Sequence, residues 1–251
     1  MKWCVALLSV LVLVGGVIRW LPDACAQPAS EHHHPTITSD TTPNSPSGHA
    51  RDGWEGSNEG IAYSEFNHRL VGLFVFLFGL AELGHGLRYS LPFWTRLVLP
   101  GGLAIIGAYL MIWSDHEAWP IGSLSFVQTF SGQDPEIIQH KFYGVFGATA
   151  AVTETIRRTG LRRHPAWAAP LVFLGLAGAL LLFVHSHGDH PSDHMITLHH
   201  MLLGSFGIGA VTSNAMVVWA SGMSSQTSRR WELAWAAFVI VMGLQLLMYS
   251  E

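Results

Sequence analysis

The first long apolar stretch of the chain, residues 66–86, reads FNHRLVGLFVFLFGLAELGHG and decides the fold. It matches the roughly 20 residues that a helix needs to cross the hydrocarbon core of a bilayer. Further stretches of similar length and character follow at residues 94–113, 138–157, 166–186, 196–220 and 231–249. We therefore predict an all-α, polytopic membrane protein with six transmembrane helices.

The composition of the 251-residue chain agrees with a membrane environment. Hydrophobic residues make up 49% of the chain and charged residues only 12%. The formal net charge is -4, and lysines and arginines occur in small groups between the apolar stretches rather than on one basic face. We therefore expect the lipid bilayer as the surroundings and no nucleic-acid partner.

Two segments precede the predicted helices. Residues 1–26 contain a lysine, an apolar run and then Ala24-Cys25-Ala26. This pattern is typical of a cleaved secretory signal peptide, and an uncleaved anchor is the alternative. Residues 27–63 are rich in Pro, Ser, Thr and His, and are predicted to form a flexible exported tail. The six-helix membrane domain is expected over residues 64–251.

Basic residues between the predicted helices indicate how the chain is oriented. They occupy alternate loops, as Arg88 and Arg96, then Arg157, Arg158, Arg162 and Arg163, then Arg229 and Arg230. The positive-inside rule places these loops in the cytoplasm, so the remaining loops and both termini of the mature protein are predicted to face outward. Glu82 and Glu154 fall near the cytoplasmic helix ends and are predicted to pair with Arg88 or Arg157, with a relay for ions or protons as the alternative.

A threefold repeat relates the odd-numbered stretches to one another. Residues 67–74 (NHRLVGLF) match residues 139–146 (QHKFYGVF), and His200 and Gly204 keep the same spacing in the fifth stretch. The even-numbered stretches end alike, in Trp113-Ser-Asp115, His185-Ser-His187 and Tyr249-Ser-Glu251. The chain is therefore predicted to form three repeated helical hairpins. The glycine four residues after each histidine is predicted to let neighbouring helices pack closely.

Histidines and carboxylates recur at the outward end of these hairpins, where ionisable side chains tend to face a bundle interior. The candidate metal ligands are His68, Asp115, His140, His185, His187, His200 and Glu251. Imidazole nitrogens with carboxylate oxygens suit copper(II), zinc or non-haem iron. Both cysteines lie within the first 25 residues, so no thiolate site is expected in the body of the protein. His199 and His200 point about 100° apart on a helix, and only His200 fits the repeat.

The same residues resemble the membrane domain of copper resistance protein D. The shared motifs are His68-Arg-Leu-Val-Gly72, Ser114-Asp115-His-Glu-Ala-Trp-Pro120-Ile-Gly122, Gln139-His140, His185-Ser-His187 and Leu247-Met-Tyr249-Ser-Glu251. The resemblance covers residues 64–251 and implies a six-helix domain in the bacterial inner membrane, with its copper site facing the periplasm. It makes copper the expected metal, with zinc or iron as alternatives.

Several functions agree with such a site. The leading hypothesis is copper uptake, resistance or delivery, with a periplasmic copper carrier or a larger membrane complex as partner. The alternatives are a copper- or iron-dependent membrane oxidoreductase, a b-type haem electron-transfer subunit and an accessory subunit of a larger membrane complex. The sequence does not decide whether the protein is an enzyme, and it favours a non-catalytic role.

Overall fold

A computed structural model of the chain describes residues 57–131, 134–184 and 193–250. These residues form α-helices joined by loops and short 3-10 helices, and the described part contains no β-strand. The predicted all-α class is therefore confirmed for that part of the chain. The predicted signal peptide, and the predicted tail as far as residue 56, lie outside the described residues.

Six long helices account for most of the described structure. They are α1 (Asn58–Gly86), α2 (Val98–Ile112), α4 (Pro135–Arg158), α5 (Ala169–Leu181), α6 (Asp193–Trp219) and α7 (Ser225–Leu247), with the short α3 (Phe126–Ser131) between α2 and α4. The 3-10 helices Phe93–Leu97 and Pro165–Ala168 precede α2 and α5, and Leu182–Val184 follows α5. The long helices fall where the apolar stretches predicted them.

The first helix begins earlier than the predicted boundary at residue 64. Ser57 adopts an extended conformation, and its Oγ accepts the backbone N–H of Gly60 at 3.1 Å. This side-chain cap satisfies one of the backbone donors that the first turn of a helix leaves without a partner. The helix therefore starts at Asn58, in a polar stretch that hydropathy alone assigns to the tail.

Five of the long helices are apolar and long enough to cross a membrane. They are Asn58–Gly86, Phe93–Ile112, Pro165–Val184, His194–Trp219 and Ser225–Leu247. This finding supports a membrane-embedded protein. The 24-residue α4 is long enough to cross a membrane, but its hydropathy is too low because it carries polar side chains such as Lys141 and Glu154.

The six long helices form a closed ring. Around the ring, α1 packs against α2, α2 against α4, α4 against α5, α5 against α6 and α6 against α7. The most extensive contact closes the ring, between α7 and α1. This contact brings the beginning of α1 beside the end of α7, where Arg69 donates to the backbone oxygen of Tyr249 at 3.1 Å. The ring therefore surrounds a central space.

The three glycines of the repeat lie where helices touch. A Cβ added to Gly72 would lie 2.7 Å from the backbone nitrogen of Leu247 on α7. At Gly144 it would lie 2.7 Å from Cγ of Met111 on α2, and at Gly204 it would lie 2.8 Å from a backbone oxygen of α5. Each glycine thus lets its helix approach the preceding helix of the ring, and the predicted packing role is confirmed.

A buried ion network ties helices together at the end of the ring opposite the beginning of α1, which we call the arginine end. Arg158 of α4 binds Glu82 of α1, with Nη1 2.6 Å from Oε1, and it binds Glu154 with Nε 2.8 Å from Oε2. The fully buried Glu154 also binds Arg157 at 2.7 Å, and Trp235 of α7 donates its indole N–H to Glu82 at 3.0 Å. The network therefore joins α1, α4 and α7.

The predicted ion-pair partner is correct for Glu154 and wrong for Glu82. The Glu154–Arg157 pair is confirmed. Glu82 instead binds Arg158, and Arg88 binds Glu232 at 2.9 Å. The reason is that the long side chain of Arg158, at the end of α4, reaches Glu82 near the end of α1, although these two helices are not neighbours in the ring.

Replacing Gly72 with alanine should destabilise the protein, because the new methyl group would collide with the backbone of α7 at the contact that closes the ring. Gly101→Ala is the matched control, since a Cβ at Gly101 meets no atom within 4 Å. Thermal denaturation of detergent-purified protein should show a lower midpoint for Gly72→Ala and an unchanged or higher midpoint for Gly101→Ala. Equal midpoints would contradict the close approach.

Candidate metal centre

Four of the predicted site residues meet at the end of the ring where α1 begins, which we call the histidine end. His68 lies on α1, Asp115 follows α2, His140 lies on α4 and His200 lies on α6. All four line the central cavity of the ring. The predicted ligands His185, His187 and Glu251 lie outside the described residues.

Asp115 is the centre of a buried polar cluster. Its Oδ1 lies 2.8 Å from Nδ1 of His140, and its Oδ2 lies 3.1 Å from Nζ of Lys141. The hydroxyl of Ser114 donates to Oδ2 at 2.5 Å. The side chain of Asp115 is 9% exposed and that of Lys141 only 1%, so a pair of opposite charges is enclosed here.

The surroundings of Asp115 keep it ionised. Burial raises the pKa of its carboxyl group, but His140, Ser114 and Lys141 together lower the pKa to below its ordinary value. The ionised carboxylate can therefore accept a hydrogen bond from His140 and balance the charge of Lys141. This pairing accounts for a lysine in the interior of the bundle.

His68 and His140 share one arrangement of their ring nitrogens. Nδ1 of His68 lies 2.9 Å from the backbone oxygen of Ser64, and Nδ1 of His140 lies 2.8 Å from Asp115. An Nδ1–H that donates to an oxygen places the lone pair of the imidazole on Nε2. Histidines that bind metals through one nitrogen usually donate from the other in this way. In the neutral tautomer with hydrogen on Nδ1, Nε2 of each ring is the nitrogen that would bind a metal.

Tyr249 brings three histidines together at the α1–α7 contact. Its buried ring stacks on His68, with ring centroids 3.9 Å apart and planes 15° apart. The centroids of His199 and His200 lie 5.3 and 6.4 Å from that of Tyr249. The His68 and His200 centroids are 5.9 Å apart.

Sequence reasoning did not assign a role to Tyr249, and it set His199 aside. The repeat aligns Tyr249 with Trp113. This alignment was the signal in the sequence that an aromatic side chain recurs beside the site. His199 and His200 do diverge on their helix, but the flat ring of Tyr249 is wide enough to contact both. A small cavity of about 10 Å³ lies between these residues and Gln245, which is roughly the space that one water molecule needs.

The described side chains do not by themselves complete a metal site. Within the residues that the structure describes, no three His, Cys, Asp or Glu side chains are placed to hold one ion. The described donors instead form the pairs His140–Asp115 and His68–His200. The chemistry of these donors fits copper(II) or zinc. A site with three or more ligands would draw on the predicted ligands outside the described residues.

Two other histidines lie away from this end. Nε2 of His85 lies 3.2 Å from the hydroxyl of Thr95, near the arginine end. Nδ1 of His164 accepts the backbone N–H of Ala166 at 3.2 Å and caps the 3-10 helix before α5. Both histidines thus make structural contacts away from the candidate metal centre.

Comparison with known proteins finds no matching protein-family model, and no curated protein or solved structure with significant similarity. The resemblance to copper resistance protein D therefore stays a prediction that depends on the motifs quoted above.

Asp115→Asn should destabilise the protein by about 3 kcal/mol, because the buried ammonium of Lys141 loses its counter-charge. Glu232→Gln is the control, since it breaks the ion pair with Arg88, whose side chain is 59% exposed, and should cost less than about 1 kcal/mol. The two losses can be compared by thermal or denaturant-induced unfolding in detergent. Similar losses for the two variants would show that Asp115 is not needed to compensate Lys141.

Proposed function

We propose that this chain is an inner-membrane copper-binding protein with a metal site facing the periplasm, acting in copper uptake, resistance or delivery. The observation that carries the proposal is the shared orientation of His68 and His140 at the histidine end. Each Nδ1 lies against an oxygen, which leaves Nε2 as the ligating nitrogen. The family resemblance supports copper as the metal, and zinc or iron would suit the same donors.

In the proposed site, His68, His140 and His200 supply imidazole nitrogens, with no more than two of these three on any one ion. Asp115 acts chiefly by orienting His140, since Ser114 and Lys141 already contact its other oxygen. His185, His187 and Glu251 complete the set of ligands. Copper bound there would be the cargo that a periplasmic carrier or a larger membrane complex exchanges with the chain.

The order of helices around the ring supports the threefold repeat. α4 receives Asp115 from the end of α2, the helix that precedes it in the ring. By the same relation α1 would receive Glu251 from the end of α7, and α6 would receive His187 from the end of α5. The close contacts of the three repeat glycines follow this order. Each histidine would thus be supported by the preceding hairpin.

The burial pattern of α4 supports a sixth span. Lys141 and Glu154 are 1% and 0% exposed, and both have partners of opposite charge inside the bundle. The exposed face of the helix carries Phe142, Val145 and Val152, which suit contact with lipid. Six spans, with the arginines of alternate loops in the cytoplasm, would place both mature termini in the periplasm.

The copper content of detergent-purified protein tests the proposal. The wild-type chain should hold copper in a fixed ratio, and His140→Ala combined with His187→Ala should abolish stoichiometric copper by removing two ligands. His164→Ala is the control, because His164 only caps a 3-10 helix, and it should retain wild-type copper. Elemental analysis measures the metal, and a visible spectrum recorded on the same sample detects haem.

The outcomes separate the alternatives. Full copper in the double variant would refute the proposed ligands. Zinc or iron in place of copper would keep the site and reject the proposed metal. A Soret band that the double variant loses would instead identify a haem protein.

A further inference from the structure

The ring encloses a cavity that is much larger than a metal site. Its volume is about 420 Å³, within the range of about 300–1,000 Å³ that is usual for pockets that bind small molecules. Along α1 its lining extends from Gly60 to Phe78, or roughly 25 Å at about 1.5 Å per residue. Because this volume extends over such a length, the cavity is narrow. A narrow cavity fits a chain-like molecule better than a compact one.

Away from the histidine end, the walls of the cavity are apolar. Every long helix of the ring contributes, for example through Phe78, Leu103, Phe146, Leu171, Val211 and Val239. Water gains few hydrogen bonds in such surroundings, whereas apolar molecules enter engineered cavities of this type readily. The bilayer around the ring is a source of molecules with a single hydrocarbon chain.

The histidine end of the same cavity is polar and acidic. Asn67 lines it with an amide group that can donate hydrogen bonds, and His68 and His140 line it with imidazole rings whose Nδ1 already contacts an oxygen. The carboxylates Asp115, Glu117, Asp134 and Glu136 also line this end. Among the described lining residues there is no lysine or arginine. An anionic head group would meet repulsion here, whereas a neutral oxygen atom would find the amide of Asn67 as a donor.

We propose that the central cavity binds a neutral single-chain lipid. Its alkyl or isoprenoid chain lies along the apolar walls, and its hydroxyl or quinone oxygen lies at the histidine end. This ligand is distinct from the metal, and the inference does not depend on copper binding, because the cavity walls that hold the chain carry none of the proposed ligands.

Native mass spectrometry of detergent-purified protein tests this, because it counts the molecules bound to each chain. The probes are 1-dodecanol, dodecanoate and a ubiquinone with a short isoprenoid tail. The wild-type chain should saturate at one dodecanol or one ubiquinone. Dodecanoate, which differs from dodecanol in its charged head, should bind at least about tenfold more weakly. Binding of only one neutral probe supports the proposal and identifies the class of chain.

Two pairs of variants locate the site. Val239→Trp and Leu103→Trp place a large ring in the cavity, and each should reduce binding of the neutral probe at least about tenfold. Val241→Trp and Ile105→Trp are their controls, two residues away on the outer faces of α7 and α2, and should bind normally. The second pair decides the question if Val239→Trp does not fold.

Three results would overturn the proposal. They are no saturable binding of either neutral probe to the wild-type chain, equal binding of dodecanoate and dodecanol, and undiminished binding by a folded cavity-filling variant. Val239→Trp should bind as much copper as the wild-type chain, since Val239 is roughly 15 Å along α7 from Tyr249. A variant that loses lipid binding but retains copper therefore separates this inference from the proposed function.

Discussion

A charged side chain within a bilayer must find its counter-charge inside the protein, and the six-helix ring is organised around that constraint. At one end, Asp115 compensates the buried ammonium of Lys141. At the other end, Glu82 and Glu154 compensate Arg158. Lys141 and Arg158 both lie on α4. The partner of Lys141 follows the end of α2, and the partners of Arg158 lie on α1 and on α4 itself. The least apolar helix is therefore held at both of its ends.

Closing the ring has a second effect, because six helices around an axis leave space at the centre. Small residues allow close contact between neighbours, while the side chains that point inward do not fill the middle. The histidine end of that space is where the beginning of α1 meets the end of α7, through Arg69, His68 and Tyr249. The same closure thus produces the cavity and gathers the histidines at its polar end.

Much of this arrangement could be predicted from the sequence, because helix length and hydropathy are properties of single stretches. The repeat also predicted that His68, Asp115, His140 and His200 share one end of the bundle. The bonds among these residues could not be predicted. Whether Glu82 binds Arg88 or Arg158 depends on which side chains converge at the arginine end, and spacing along the chain does not encode that convergence. The start of α1 was missed because a serine cap, rather than hydropathy, sets it.

The two ends of the ring also differ in the sign of their charge. Carboxylates line the cavity at the histidine end, whereas most of the described arginines, Arg69 excepted, lie at the opposite end. The described part of the chain is therefore an electric dipole aligned with the axis of the bundle. Its negative pole raises the local concentration of cations beside the histidines and speeds their encounter with the protein, an effect that is strongest at low ionic strength. The carboxylates that line the histidine end thus act as an electrostatic funnel for cations.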